Sequence, residues 1–253
     1  MLEFRDLTVR FGARPILEQV SFSLRPHRLT VLLGRNGSGK STLLSCVNQQ
    51  TPYTGEIRDG ESNLAFLSPR ERARLVAILH QSIPAPHITA EELVAFGRSP
   101  YLDLSGRLTV QDRELIDRAM HEADADSLRE RYVNTLSGGE QQRVFLAMAL
   151  AQNTRIILLD EPTAHMDPAH EAALLRRVSA LKRKHKKTFL VVLHDLSLAV
   201  EFADDLVVLD DHRIVFAGEK EQCLQKQILE RTFFVRRYTF EEDGVTRIFF
   251  ASQ

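Results

Sequence analysis

Short runs of β-favouring residues recur along the chain at positions 2–9, 30–33, 75–79, 156–159, 189–193 and 206–209. Several are continuously apolar rather than alternating, the pattern of strands buried on both faces of a parallel sheet. Longer helix-like segments separate them. Three helix starts are marked: Ser68 with Glu71 and Thr89 with Glu92 pair a capping hydroxyl with a Glu three residues on, and Asp167-Pro168 joins a cap to a first-turn proline. Alternation of this kind predicts an α/β fold. Between positions 84 and 134 the strand-like runs stop and polar helical sequence takes over, with loop signals at Pro84, Pro86, Gly97, Pro100 and Gly106. We read one domain over 1–253: a core of 1–83 and 135–215, an inserted helical subdomain at 84–134, and an extension of the core at 216–253. Alternation returns in that extension, as in Thr246-Arg247-Ile248-Phe249-Phe250.

Composition narrows the class. A chain of 253 residues with 43% hydrophobic content can bury a sizeable core. Its 33 Lys and Arg against 34 Asp and Glu give no global field for nucleic acid, so no nucleic-acid partner is expected. The longest apolar stretches, 144–151 and 189–193, fall short of the roughly 18 to 20 residues that span a bilayer. Acidic Glu3 and Asp6 stand where a secretory signal needs basic residues, so export is not expected. Cys46 and Cys223 read as core thiols of a reducing cytoplasm. The basic residues within 182–187 read as a solvated helix end favoured by the helix dipole.

Three segments carry chemistry. Gly34-Arg35-Asn36-Gly37-Ser38-Gly39-Lys40-Ser41 follows an apolar strand and precedes Thr42-Leu43-Leu44, which can open a helix. That is the context required by a phosphate loop. Glycines at 34, 37 and 39 allow backbone angles that turn N–H groups toward an anion, Lys40 would reach β and γ phosphates, and the Ser41 hydroxyl would bind Mg²⁺. Alone, the loop does not separate kinase, GTPase, helicase and transporter ATPase. Ile156-Ile157-Leu158-Leu159 ends in Asp160-Glu161. Alternation along a strand sends the two carboxylates different ways, Asp160 toward a metal and Glu161 toward a water as general base. The third segment, Leu136-Ser137-Gly138-Gly139-Glu140-Gln141-Gln142-Arg143, reads as a helix start with bare glycine amides, a second anion seat. A second seat makes sense if another copy of the protein supplies it, two chains sandwiching two nucleotides.

In this order the three segments resemble the ABC-type ATPase family, and the resemblance covers essentially the whole chain. It implies a phosphate-loop NTPase core with a mostly parallel sheet, an N-terminal antiparallel β portion and the inserted α-helical subdomain. It also implies ATP and Mg²⁺, with Gly34 through Thr42 on the triphosphate. Further positions follow from it: Gln81 contacts Mg²⁺ and the catalytic water, His194 the γ-phosphate, and Asp167 communicates across a homodimer. Phe11 matches an aromatic that stacks on adenine; as a lone aromatic it reads equally as core. Met166 stands where Leu is usual, His80 where Pro is frequent, and His212, in Asp211-His212-Arg213, where many members place Gly in a hairpin.

Within the family, Arg72-Ala73-Arg74-Leu75-Val76-Ala77-Ile78-Leu79-His80-Gln81 and Ile88-Thr89-Ala90-Glu91-Glu92-Leu93-Val94-Ala95-Phe96-Gly97-Arg98-Ser99-Pro100-Tyr101 are similar to importers of iron-siderophore, haem and cobalamin. That resemblance implies an ATPase at the cytoplasmic face of the membrane, docked on permease subunits and served by an extracytoplasmic substrate-binding protein. Other cargo, export, and a soluble relative acting on nucleic acid or the ribosome remain the alternatives.

Overall fold

The computed structural model describes residues 1–81, 85–103, 105–164, 166–242 and 245–252, with the backbone alone at 245. Pro84, at the expected start of the helical subdomain, and His165, just before the Met166-Asp167 pair, lie outside the described residues. In chain order the elements begin with strands β1 (Leu2–Phe11), β2 (Arg14–Leu24) and β3 (Leu29–Gly34), then helix α1 (Lys40–Val47) and strands β4 (Thr54–Asp59) and β5 (Ser62–Asn63). Helix α2 (Pro69–Leu75), β6 (Val76–Leu79), α3 (Ala90–Phe96), α4 (Val110–Glu122), α5 (Gly138–Ala151), β7 (Ile156–Leu159) and α6 (Pro168–His185) follow. The chain continues with β8 (Thr188–Val192), α7 (Leu196–Phe202), β9 (Asp205–Asp210), β10 (Arg213–Glu219), α8 (Lys220–Gln225), α9 (Ile228–Phe233), β11 (Val235–Glu242) and β12 (Val245–Ser252).

Two compact units divide these elements, Met1–Phe66 with Thr188–Gln253, and Leu67–Lys187. In the first, β3 lies between β8 and β9, parallel to both, and β10 runs antiparallel to β9. Every residue of β3 and β8 is buried, which explains their unbroken apolar sequence. An antiparallel sheet in the order β2-β1-β4-β5 lies in the same unit, matching the antiparallel β portion expected near the N-terminus. Strand β2 has no clean period in sequence because Gln19 takes a left-handed φ of 49° opposite a register shift, so the inward positions Leu17 and Val20 are three apart. The hairpin between β9 and β10 turns on Asp211 and His212, at φ 43° and 67°. Both positive angles suit a two-residue turn, and they show how this chain manages without glycine there.

In the second unit β6 and β7 form a parallel pair, and α3, α4 and α5 pack together, with Leu93, Val94, Ile116, Met120, Val144 and Phe145 among their buried residues. Between 85 and 134 the described residues hold α3, α4 and 3-10 turns, with one isolated bridge, Thr89 to Tyr132. The capping boxes at Ser68, Thr89 and Ser137 are all formed, and Asp167 caps α6 ahead of Pro168. Another box, Thr109 with Asp112, starts α4.

The basic residues within 182–187 are only partly a solvated end. Lys184 and His185 both reach Glu122 Oε1, at 3.0 and 2.6 Å, but Lys187 is buried and its Nζ donates to the Thr154 carbonyl at 2.6 Å. Burial pushes the Lys187 ammonium below its ordinary range. Cys46 and Cys223 are buried free thiols, each pushed up to about 12, chiefly by burial.

Candidate functional site

The phosphate loop grows out of β3. Gly34 ends that strand so close to β9 that an added Cβ would stand 2.6 Å from both the Leu209 carbonyl oxygen and Ser38 Oγ. Its φ is not left-handed, so this glycine serves close approach rather than the anion-turning angles expected of all three. Gly37 and Gly39 do supply them, at φ 79° and 103°. A Cβ on Gly39 would also meet the Ile16 carbonyl oxygen at 2.8 Å, whereas Gly37 faces open space. Lys40, buried at the start of α1, donates from Nζ to the Gly34 carbonyl at 2.8 Å and the Arg35 carbonyl at 3.2 Å. Its cation therefore lies against the loop rather than in solvent.

Ser38 Oγ is buried and has no hydrogen-bond partner among the described residues. Left-handed glycines, an orphaned inward hydroxyl and a folded-back lysine together make a cradle that fits a polyphosphate. Ser41 and Thr42 lie on the first turn of α1, and Arg35 and Asn36 are exposed on the loop. The Arg35 guanidinium stands 5.9 Å from the Phe234 ring centroid. Phe11, at the end of β1, is 59% exposed, which removes the reading as core and leaves its face open. His194 is exposed two residues past β8, where the ladder's last bond runs from Leu193 N–H to the Leu32 carbonyl at 3.3 Å.

The second unit holds the acids. Asp160 N–H donates to the Leu79 carbonyl at 2.8 Å, one residue beyond the β6–β7 register, and its side chain is buried. Glu161 then takes a left-handed φ of 49°. Non-glycine residues adopt this region uncommonly. Both acids lie beyond the end of β7 at Leu159, so the backbone turn at Glu161, not strand alternation, governs where the second carboxylate is carried. Since Leu79 pairs with Leu159, Gln81 and Glu161 leave the ladder abreast, and Gln81 Nε2 donates to Glu161 Oε2 at 2.5 Å.

The oxygen donors offered by Ser41, Gln81 and Asp160 are a hydroxyl, an amide carbonyl and a carboxylate, a set suited to a hard cation such as Mg²⁺. Among the described residues no cluster of three His, Cys, Asp or Glu could hold a metal. A cation would need oxygens from its ligand as well, which is the habit of Mg²⁺ with phosphates.

Also in the second unit, Ser137 and Glu140 complete a reciprocal cap at the start of α5. Ser137 N–H donates to Glu140 Oε2 at 2.8 Å, and Glu140 N–H to Ser137 Oγ at 3.4 Å. Gly138 and Gly139 occupy the first turn, where helix geometry provides no carbonyl for the N–H groups. They line a cavity of about 430 Å³ together with Ser137, Asp167 and His170. The start of α6 therefore faces the same space. Asp167 Oδ1 accepts from the backbone N–H groups of Ala169 and His170, both at 3.1 Å, and Oδ2 lies 2.6 Å from His170 Nδ1. The His170 backbone N–H, then its ring, hold the Asp167 carboxyl below its usual range. His170 was not legible as a site residue; its one signal was a first-turn position three residues after the cap.

The expected residues thus divide between the units. Phe11, Gly34 through Thr42 and His194 belong to the first, and Gln81, Ser137, Gly138, Gly139, Asp160, Glu161 and Asp167 to the second.

Residues 17–164 match the family model described as ABC transporter. The chain is 37% identical over 231 residues to the achromobactin transport ATP-binding protein of Dickeya dadantii, covering 90% of this chain and 86% of that protein. It is 37% identical over 238 residues to the ferric enterobactin transport ATP-binding protein of Escherichia coli, covering 93% and 88%. The hemin import ATP-binding protein of Bordetella pertussis is 36% identical over 242 residues, covering 92% and 91%. Among solved structures, the ADP conformation of an ATP-binding cassette from an ABC transporter superposes with a TM-score of 0.81 at 24% identity, covering 92% of this chain and 98% of that one. A dimeric post-hydrolysis state of an ATP-binding cassette bound to ADP and phosphate superposes with a TM-score of 0.76 at 25% identity, covering 87% and 99%.

Proposed function

The chain belongs to the ABC transporter family, and we propose that it drives uptake of an iron chelate, with haem and cobalamin as the neighbouring cargoes. As a member of that family it binds and hydrolyses ATP. One observation carries the cargo: relatives matching nine-tenths or more of this chain are named for achromobactin, ferric enterobactin and hemin. All three names denote an iron chelator or an iron-bearing molecule.

Roles are assigned from the resemblance to the family together with the local chemistry. Lys40 and the amides around Gly37 and Gly39 bind the triphosphate, with Gly34, Arg35, Asn36, Ser38 and Thr42 completing the loop. Phe11 stacks on adenine. Ser41, Gln81 and Asp160 would hold Mg²⁺, which when bound would supply neutralisation of phosphate charge. Glu161 takes the proton of the attacking water, and Gln81, whose amide already holds that carboxylate, fixes its direction. His194 contacts the γ-phosphate. Ser137, Gly138 and Gly139 of a second copy close the seat from the other side, and Asp167 communicates between copies. The dimeric cassette with ADP and phosphate supports that arrangement by similarity.

We place the protein at the cytoplasmic face of the membrane, on permease subunits fed by an extracytoplasmic binding protein. No helix among the described residues is long and apolar enough to cross a membrane, so the permease supplies the path. Purification of the tagged chain from detergent extracts, followed by uptake of labelled ferric siderophore, haem and cobalamin by the assembled complex, tests the reading. Uptake of the ferric siderophore is expected. Failure to bring down a multi-spanning membrane protein, or transport of none of the three, overturns it.

A further inference from the structure

We propose that a cavity between strands β2 and β10 is a second binding site, separate from the phosphate loop, which takes a neutral polyhydroxylated molecule of sugar size through the Thr30 hydroxyl. The cavity measures about 580 Å³, and its lining residues all belong to the first unit. Small-ligand pockets span this size. Both strands are sheet edges. Near the β9–β10 hairpin they are tied together, the Glu18 N–H donating to the His212 carbonyl at 2.8 Å and Arg213 pairing with Glu18 at 2.9 Å. Farther along, Ser21 to Ser23 and Ala217 to Glu219 line the cavity instead.

Register sets the floor. Thr30 of β3 pairs with Asp205 of β9, and Asp205 and Val207 pair with Glu219 and Ala217 of β10. Partners in register share a face of the sheet, and all of these residues line the cavity. Thr30 is 1% exposed, and its Oγ1 has no hydrogen-bond partner among the described residues. A buried hydroxyl in that state is destabilising, and a ligand group bonded to it relieves the cost.

Charge decides the class of ligand. Arg25 forks onto Asp205, Nε donating to Oδ2 at 2.9 Å and Nη2 to Oδ1, while its Nη1 donates to Glu219 Oε1 at 2.9 Å. Arg28 stands 3.5 Å from the same Glu219 oxygen. Two cations and two carboxylates thus neutralise one another. An ion entering beside them would lose hydration without gaining an unpaired countercharge. A wholly apolar molecule would leave Thr30 unbonded. The Ser23 hydroxyl and the Gln222 amide add donors and acceptors to the wall, and Phe22, Val207 and Ala217 offer an apolar surface to a C–H face. An uncharged ring bearing hydroxyls meets each of these demands.

Isothermal titration of the nucleotide-free full chain with D-ribose, D-glucose and myo-inositol, and with acetate and methylammonium as ionic probes, tests the site. Saturable binding of at least one of the polyols is expected. Thr30→Val keeps the side-chain shape and removes the hydroxyl, so the unfolding midpoint of the unliganded chain should hold or rise while polyol affinity falls by about 3- to 10-fold. Ala217→Phe adds bulk at an exposed position on the cavity wall. It should abolish polyol binding, and it carries the test alone if Thr30→Val does not fold. Polyol binding that survives Ala217→Phe unchanged overturns the site. Binding of none of the three polyols leaves the Thr30 hydroxyl to water and overturns it as well. Saturable binding of acetate or methylammonium that Ala217→Phe removes overturns the neutral class of ligand.

Discussion

Gln81 and Glu161, eighty positions apart in sequence, are joined side chain to side chain at 2.5 Å, Nε2 donating to Oε2. Parallel pairing of β6 with β7 brings them abreast, and the left-handed turn at Glu161 aims its carboxylate at the amide. A carboxylate directed in this way can accept a proton from a water without first searching for its orientation.

Replacement of Glu161 by Gln is expected to lower ATP turnover by about 10²- to 10⁴-fold while nucleotide binding persists. Gln81→Ala should lower turnover as well, and the double variant should be no worse than Glu161→Gln, because residues acting as a unit are not additive. Single-turnover hydrolysis beside fluorescent-nucleotide binding separates these effects. Near-normal turnover of Glu161→Gln, or full additivity in the pair, would remove the coupling.

The glycines of the phosphate loop should respond to alanine for different reasons. Gly34→Ala forces a methyl against the Leu209 carbonyl of β9, an overpacking cost of about 1–3 kcal/mol. Gly37→Ala meets no atom within 4 Å and costs only the left-handed conformation, about 1–2 kcal/mol. Denaturant midpoints of the nucleotide-free protein check both. Rescue of Gly34→Ala by a second substitution that relieves β9, with no such rescue for Gly37→Ala, would separate the two causes.

Arg98 and Asp112 form a buried pair at 2.9 Å, with the Arg98 guanidinium also donating to the Ala151 carbonyl at 2.7 Å and lying 4.0 Å from the Tyr101 ring centroid. Arg98→Ala leaves Asp112 without its cation and should cost about 3–5 kcal/mol. Burial pushes the Asp112 carboxyl up, but hydrogen bonds from Thr109 and the Arg98 pair outweigh it and hold the group below its usual range. A depressed folded value means stability that is present above the unfolded pKa, about 3.9, and lost as pH falls through the folded one. The cost of Asp112→Asn should therefore be full at neutral pH and shrink below about pH 4. Chemical denaturation at the two pH values measures it.

Much of this is legible in the sequence. The buried strands β3, β7, β8 and β9 appear as unbroken apolar runs, and the caps at Ser68, Thr89, Ser137 and Asp167 appear as spacings, because both signals are local. Strand β2 was not legible, since the turn at Gln19 breaks its period. The cap at Thr109 was hidden because Asp112, not Glu, closes the box. Gly34 read as an angle-supplying glycine, and only the approach of β9 shows otherwise. Residues Gly97 through Tyr101, read as a mark of the importer subgroup, also tie α3 to α4 and α5 through Arg98. Long-range packing leaves no local pattern. The Gln81–Glu161 bond depends on the β6–β7 register, which no stretch of sequence shorter than the whole unit contains.

Phe11 offers a test in which stability and affinity separate. It is 59% exposed at the end of β1, opposite Arg14, so truncation removes little buried surface and should leave the unfolding midpoint within about 0.5 kcal/mol of the parent. If its open face receives adenine, Phe11→Ala forfeits a stacking interaction of about 1–3 kcal/mol. Affinity for ATP should then fall by roughly 5- to 150-fold. Phe11→Tyr and Phe11→Trp keep a flat face and should bind as the parent does, whereas Phe11→Leu, apolar but not planar, should resemble alanine. Equilibrium titration with a fluorescent ATP analogue gives the ranking. Tripolyphosphate supplies the control: it lacks the base, so its affinity should be the same in all five proteins. A loss of tripolyphosphate binding in Phe11→Ala would move the effect from the base to the phosphate loop.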